Sequence, residues 1–429
     1  MTWANWTGDE RCDPSVILRP TSVEEVAALV RSAADTGTPV RVVGSGHSFS
    51  DLVLTDGIMV DLSGLTGLLR VEAGTGLVRV AAGTTLAELN VLLDRHGLAM
   101  PNLGDIDHQT LAGAISTGTH GTGARLGNLA TQVTAIQLVA ADGTIHELTG
   151  QDDALTAARI GLGSLGIITA YTLKVVPAFH LRAQSGPMAV SELLGRLTEF
   201  VDGNDHFEFY YFPHAPTALA KLNNRSQEPL RRPTKVRQFV EVDLLENQAL
   251  DLVCRVGRRL PAQIPRFNRM VTGFLTPASR VEVSHRAFVS HRSIRFTETE
   301  WSIPREACAD MLRDIQHVIE RQGLAVNFPL EVRFVAGDQA SDLSPVYGRD
   351  SAYIAAHMYR NMNWRPYFAA VQEIALGYGG RPHWGKRHQL DAARLADLYP
   401  AWEQFQQARR KFDPTGLFAN NHIRRVLGP

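Results

Sequence analysis

Apolar residues recur along this chain at two spacings, and the switches between them lay out its elements. Steps of three and four put Val26, Leu29 and Val30 on one stripe behind Thr21-Ser22-Val23-Glu24, a capping pattern, so a helix is predicted from there to Gly37. Thr85-Leu86-Ala87-Glu88 opens a second helix that runs to Arg95 and stops at Gly97. The same spacing returns in Met311, Leu312, Ile315, Val318 and Ile319, over Cys308 to Gln322, and in an amphipathic segment from Leu395 to Phe412. Short runs of branched residues predict strands at 17–20, 39–44, 58–62, 77–82, 134–139, 144–148 and 168–176, two of them joined as a hairpin by Ala141-Asp142-Gly143. Phe207, Phe209 and Tyr211 alternate with Glu208 and Tyr210, which predicts a strand from His206 to Pro213 with one buried face. Residues 228–280 are assigned helices and loops. Strand and helix alternate throughout, an α+β or α/β pattern, with a first domain boundary at Pro177.

Three stretches interrupt these rhythms. In the first, an apolar strand ends in Val43-Gly44-Ser45-Gly46-His47-Ser48, where the glycines free backbone N–H groups to meet an anion and the serines add hydroxyls. This reads as a diphosphate cradle with His47 facing whatever it holds. The second, from Pro101 to Gly123, is rich in glycine and hydroxyls and poor in charge. Read as loop, it makes a lining of the kind a flavin dinucleotide needs. The third, Gly161-Leu162-Gly163-Ser164-Leu165-Gly166, precedes a strand. A GxGxxG turn after a first strand, followed by an acid about 20 residues on, does not organise the chain, so a Rossmann fold is disfavoured.

Composition narrows the class. At 429 residues the chain suits two or three domains, and its 44% hydrophobic and 20% charged residues are those of an ordinary globular protein. A net charge of -1 without a long basic run argues against nucleic acid as partner. Cys12, Cys254 and Cys308 are too dispersed for a CxxC motif or a disulfide framework, which fits a reduced cytoplasmic protein, and no metal site is expected. No leader pattern and no apolar run of about 18 residues is present, so neither export nor a membrane span is expected.

Candidate chemistry gathers late in the chain. In Leu330-Glu331-Val332-Arg333-Phe334, a period of two sends Glu331 and Arg333 to one face. Read without context they are an ion pair on an exposed strand, worth little. His357 and Tyr359 share a face of the strand at 353–359, and Lys386 lies in the glycine-broken loop Gly379-Gly380-Arg381-Pro382-His383-Trp384-Gly385-Lys386.

Gly44-Ser45-Gly46-His47-Ser48-Phe49, Gly118-Thr119-His120-Gly121-Thr122-Gly123, Gly163-Ser164-Leu165-Gly166 and Arg381-Pro382-His383-Trp384-Gly385-Lys386 together resemble the vanillyl-alcohol-oxidase-type flavoproteins. Within these the likeness is to the sugar-1,4-lactone oxidoreductases, with the alditol oxidases as near neighbours. The resemblance implies an α+β architecture: a two-part FAD-binding domain over 1–177, a substrate or cap domain with an antiparallel sheet over 178–412, and a tail, 413–429, that returns to the FAD domain. It implies FAD attached through its 8α-methyl to His47. Contacts to the cofactor are implied from Val43, Gly44, Ser45, Gly46 and Ser48, then from Gly104, Asp105, Thr110 and Gly113. Ser116, Thr117, Gly118, Thr119, His120 and Gly121 follow, with Gly166, Ile168, His383 and Asn420. Glu331 and Arg333 become the substrate-orienting pair, Lys386 a fixed positive charge beside the flavin, and Glu331 or His357 the base. The implied reaction oxidises an aldono-1,4-lactone at C2 to ascorbate or an analogue. Gly104 stands at the flavin edge that dioxygen reaches and leaves it room, which favours an oxidase over a dehydrogenase using a cytochrome or quinone. Asp105, where alditol oxidases carry serine, favours a lactone over an open-chain polyol.

Overall fold

The computed structural model describes residues 2–232, 250–290 and 294–429. Three larger sheets carry the architecture. A parallel sheet runs Val16–Leu18, Ile58–Asp61, Val40–Val43. An antiparallel sheet follows in the order Ile145–Thr149, Val133–Val139, Ile167–Lys174, Leu77–Ala81, Leu68–Glu72. Helix Val23–Thr36 buries Val26, Ala27, Val30 and Ala33 in the same core. Ser22 caps this helix, and it is Glu25, one residue beyond the expected acid, that returns to the Thr21 N–H at 2.7 Å. In helix Leu86–Arg95 both bonds of the capping box form, between Thr85 and Glu88.

The third sheet has eight strands, antiparallel at every pairing, in the order Ala278–Val283, His180–Ala189, Thr217–Ser226, His206–Tyr211, Leu330–Val335, Ser351–Tyr359, Phe296–Pro304, Arg381–Pro382. On one face Phe207, Phe209, Val332, Phe334, Ile354, Trp301 and Ile303 join the core with Met311, Leu312 and Ile315 of helix Cys308–Gln322. The other face is polar and also buried. The strand His206–Tyr211 is therefore covered on both sides, not on one as its alternation predicts. This is an α+β protein, and no helix among its described residues is long and apolar enough to cross a membrane.

Two further expectations change. The stretch 101–123 is not loop throughout: Leu111–Ser116 forms a helix, because Thr110 caps it by accepting from the Gly113 N–H and Leu111, Ala114 and Ile115 are buried. The segment from Leu395 to Phe412 is not continuous: helices Ala392–Leu398 and Trp402–Phe412 are separated at Pro400, which lacks the N–H a helix needs. Within 228–280 the described residues form helices Leu250–Arg259 and Ile264–Gly273 and the edge strand Ala278–Val283, and 233–249 lie outside the described residues.

The last residues lie against the strand and loop at 40–54. Val40 N–H donates to Leu417 O at 2.9 Å and the Arg41 guanidinium to Phe418 O. Asn420 spends its amide on the carbonyls of Asp51, Leu52 and Leu54, and its Oδ1 caps helix Asn421–Leu427. His422 Nδ1 meets Asp51 Oδ1 at 2.5 Å.

Candidate active site

The turn after strand Val40–Val43 forms one wall of a cleft. Gly46 has φ +68°, a conformation open to glycine, and the Trp3 ring lies so close that a Cβ there would sit 3.1 Å from it. Among the described residues, no group accepts a hydrogen bond from the backbone N–H of Ser45, Gly46, His47 or Ser48. Four consecutive free donors on a cleft wall suit a diphosphate, and the glycines and hydroxyls around them suit FAD. Val43, Gly44, Ser45, Gly46, His47, Ser48, Thr110, Gly113, Ser116, Thr117, Gly166 and Ile168 all line this cleft, as do Ala82 and Gly83, which the sequence reading left out. The Ser45 hydroxyl is already engaged, donating to His108 O. His47 is stacked on Trp6, with ring centroids 5.5 Å apart. Burial, with His108 and Lys386 nearby, pulls its pKa down to about 4, so its imidazole is neutral at pH 7.

The polar face of the eight-stranded sheet supplies the second half. Cross-strand register sets Glu208 beside Arg333, Tyr210 beside Glu331, and His357 beside Glu298, all with side chains on this face. Arg333, 8% exposed, pairs with Glu331, donates from Nε to Glu208 at 2.9 Å and lies 3.6 Å from Asp105. Burial alone would lower its pKa, but the three carboxylates hold it well above the ordinary value. Glu208 is pushed up by burial and pulled further down by Arg333 and Lys221. The expected Glu331–Arg333 pair is thus present, buried, and part of a larger cluster.

Lys386 Nζ lies 2.6 Å from Glu298, whose attraction outweighs burial and keeps the ammonium charged. His357 places Nδ1 2.9 Å from Pro329 O, which assigns that nitrogen the proton and leaves Nε2 facing Glu298 at 3.6 Å. His120 bonds Gly121 O through Nδ1 and Glu300 through Nε2, both acceptors, and stacks on Tyr353 at 3.7 Å. His120 and, more weakly, His383 and Lys386 draw Glu300 below its usual range against the effect of burial. His383 accepts the Gly385 N–H at Nδ1, and burial takes its pKa down to about 3. His120, Glu300 and His383 bring ligand atoms within 4.8 Å of one another. His120 spends both ring nitrogens, and His383 its Nδ1, on hydrogen bonds within the chain.

The two halves meet. Phe49 N–H donates to Gly385 O at 2.8 Å, and the Gly118–Gly123 loop is pinned to the sheet by Gly123 N–H on Phe334 O at 2.7 Å. At Gly121 a Cβ would strike Asn102 Oδ1 and Leu103 O at 2.3 Å, so only glycine permits this approach. Gly104, Asp105, Gly118, Thr119, His120, Gly121 and His383 lie along this seam or toward the sheet and do not line the cleft around the cradle. Asn420 faces the 51–54 carbonyls instead. Sequence reasoning missed Glu298 and Glu300. Their signal was the alternation Phe296-Thr297-Glu298-Thr299-Glu300-Trp301, of the same kind as the Glu-x-Arg strand.

Known proteins carry the same organisation. A family profile described as FAD binding domain matches residues 14–149, and one described as D-arabinono-1,4-lactone oxidase matches 171–426. L-gulono-1,4-lactone dehydrogenase of Mycobacterium tuberculosis is 45% identical over 100% of this chain and 99% of its own. L-gulonolactone oxidase of Bos taurus is 35% identical over 100% and 98%. Among solved structures, a variant of cholesterol oxidase from Brevibacterium sterolicum superposes with a TM-score of 0.83 over 99% of this chain and 96% of its own; at 18% identity this bears on the fold. A diphosphate cradle joined to a buried, charged sheet face, with both family profiles and full-length relatives in agreement, gives one conclusion: the chain belongs to the D-arabinono-1,4-lactone oxidase family, the sugar-lactone branch of the vanillyl-alcohol-oxidase-type flavoproteins, FAD-dependent oxidoreductases acting on CH–OH.

Proposed function

We propose that this protein oxidises an aldono-1,4-lactone such as L-gulono-1,4-lactone at C2, yielding ascorbate or an analogue after tautomerisation, with dioxygen as electron acceptor. The observation that carries the reading is the buried Arg333 with Glu331, Glu208 and Asp105 around it, facing the seam with the cofactor cleft. The names of the lactone-oxidising relatives support the substrate class. FAD bound along the cleft supplies a ring that accepts a hydride. Arg333 and its carboxylates bind the hydroxyl and lactone oxygens and fix the carbinol's orientation. Glu331 is already paired with Arg333, whereas His357 keeps Nε2 toward Glu298. We therefore assign His357 as the base, able to hold the C2 hydroxyl proton between Nε2 and that carboxylate. Lys386 offers a fixed positive charge to offset the negative charge the transfer creates. His47, neutral and on the cleft wall, suits covalent attachment of the flavin.

Gly104 supports dioxygen as acceptor: a glycine leaves open the space a methyl would take, 3.3 Å from His120 O. The deciding experiment adds L-gulono-1,4-lactone to one anaerobic cuvette of the flavin-loaded protein and xylitol to another, then admits air. Bleaching by the lactone alone, reversed in air, is expected. Bleaching by xylitol alone would make the enzyme an alditol oxidase, and bleaching by lactone without recovery in air would make it a dehydrogenase.

A further inference from the structure

We propose that Arg41, a buried cation in the wall of the cofactor cleft, holds the diphosphate of FAD by its charge. Arg41 is 2% exposed and lines the cleft from the strand that leads into the cradle. Its Nη1 donates to Gly163 O at 3.0 Å and to Phe418 O, and its Nη2 to Leu52 O at 2.8 Å and Leu162 O at 2.9 Å. Leu52, Leu162 and Gly163 line the same cleft, so the guanidinium is fixed in its wall. Leu162 and Gly163 have φ of +54° and +63°. For leucine that is strained backbone, kept only where the surroundings impose it, and here it turns two successive carbonyls to Arg41.

The chain gives this cation no counter-charge of its own. Among the described residues Arg41 forms no ion pair, and its Nε, shielded from solvent, has no acceptor. Carbonyl oxygens meet four of its five N–H groups but cancel none of its charge. A buried charge without an opposite one is costly, so an unbalanced guanidinium on a cleft points to an anionic ligand. Burial takes its pKa down only to about 10, against which Asp413 pulls upward, so it stays charged at pH 7. The Asp413 carboxylate is itself spent on the N–H groups of Leu417 and Phe418, at 2.8 and 2.9 Å. The four free N–H groups of residues 45–48 follow on the same cleft and suit phosphate oxygens. Neutral donors at the turn and a fixed cation in its supporting strand together match the two negative charges of a diphosphate, and in a site of low dielectric the charge acts without direct contact. An uncharged sugar would leave this cation unbalanced.

The test measures FAD affinity by equilibrium dialysis of the flavin-loaded His47→Ala protein, from which the flavin is free to leave. Adding Arg41→Met, which keeps length and removes charge, should raise the FAD dissociation constant about 30-fold. Arg41→Lys keeps the charge but cannot make the same four bonds, and should raise it no more than about fivefold. Arg41→Lys as weak as Arg41→Met, or Arg41→Met as tight as the parent, overturns the proposal, because a clamp alone needs the guanidinium's geometry and not its charge. Asp413→Asn gives an independent reading should the Arg41 variants not fold. It keeps an acceptor for the Leu417 and Phe418 N–H groups and removes the carboxylate that offsets Arg41, so it should tighten FAD binding about threefold. Unchanged or weaker binding in Asp413→Asn overturns the proposal as well. The inference needs only FAD in the cleft, so a lactone that fails to reduce the flavin would sink the substrate reading and leave this one standing.

Discussion

Arg333 shows how much a single residue depends on its surroundings. On an exposed strand it would be an unremarkable partner for Glu331. Here it is the cation on which Glu331, Glu208 and Asp105 converge. Arg333→Leu should cost about 3–5 kcal/mol in urea unfolding, because it strands buried carboxylates, and adding Glu208→Gln should recover part of the loss. The pairing was legible from the period of two, but the burial was not, since nothing local says that a sheet face is covered. His47 was legible from its glycines, and its neutrality came only with Trp6, His108 and Lys386 in place. An ordinary histidine becomes protonated as pH falls through about 6.5. With its pKa near 4, His47 keeps its lone pair well below that. Acid-stable flavin should therefore form in the apoprotein at a rate that is flat between roughly pH 5.5 and 8, and not at all in His47→Ala. Gly104→Ala meets only moderate crowding and should fold; we expect reduction by lactone at the native rate and slower reoxidation in air, read by stopped flow.

At the scale of elements, the strand Phe296–Pro304 was the main omission. Its alternation was visible, but alternation alone does not say that the face carrying Glu298 and Glu300 is covered. They are 5% exposed because Ser351–Tyr359 pairs on one side and Arg381–Pro382 on the other, contacts made far along the chain. Helices were read better, because Thr85 and Glu88 or Met311 and Ile315 state their geometry within a few residues. Helix Leu111–Ser116 escaped because it is one short run, broken by Gly113, within a stretch rich in glycine and hydroxyls. Since Glu298 links Lys386 and His357, Glu298→Gln should retain flavin but slow its reduction by lactone about 10²-fold, with reduction by dithionite unaffected.

For the whole molecule, burial acts on histidines more than on acids. His47, His206, His214, His285, His383, His388 and His422 all have lowered pKa values, against raised values for Asp338, Asp342 and Asp413. The unfolded chain takes up protons on these histidines near pH 6.5, before the folded one does. Stability is thus lost as pH falls from about 6.5 toward 4.5, and scanning calorimetry should show a lower melting temperature at pH 5 than at pH 7. The alternation of strand and helix left α+β and α/β both open, and it was the resemblance that pointed to α+β; the order of strands in the large sheet was not legible, because it is set by pairings between distant segments.

The bond from Asp51 to His422 spans 371 positions, and Asn420 ties down the neighbouring carbonyls. A ribosome makes the cradle early and its backing last. Truncation before residue 413 keeps every glycine of the cradle but removes this backing, and the purified truncated chain is expected to be colourless in its visible spectrum.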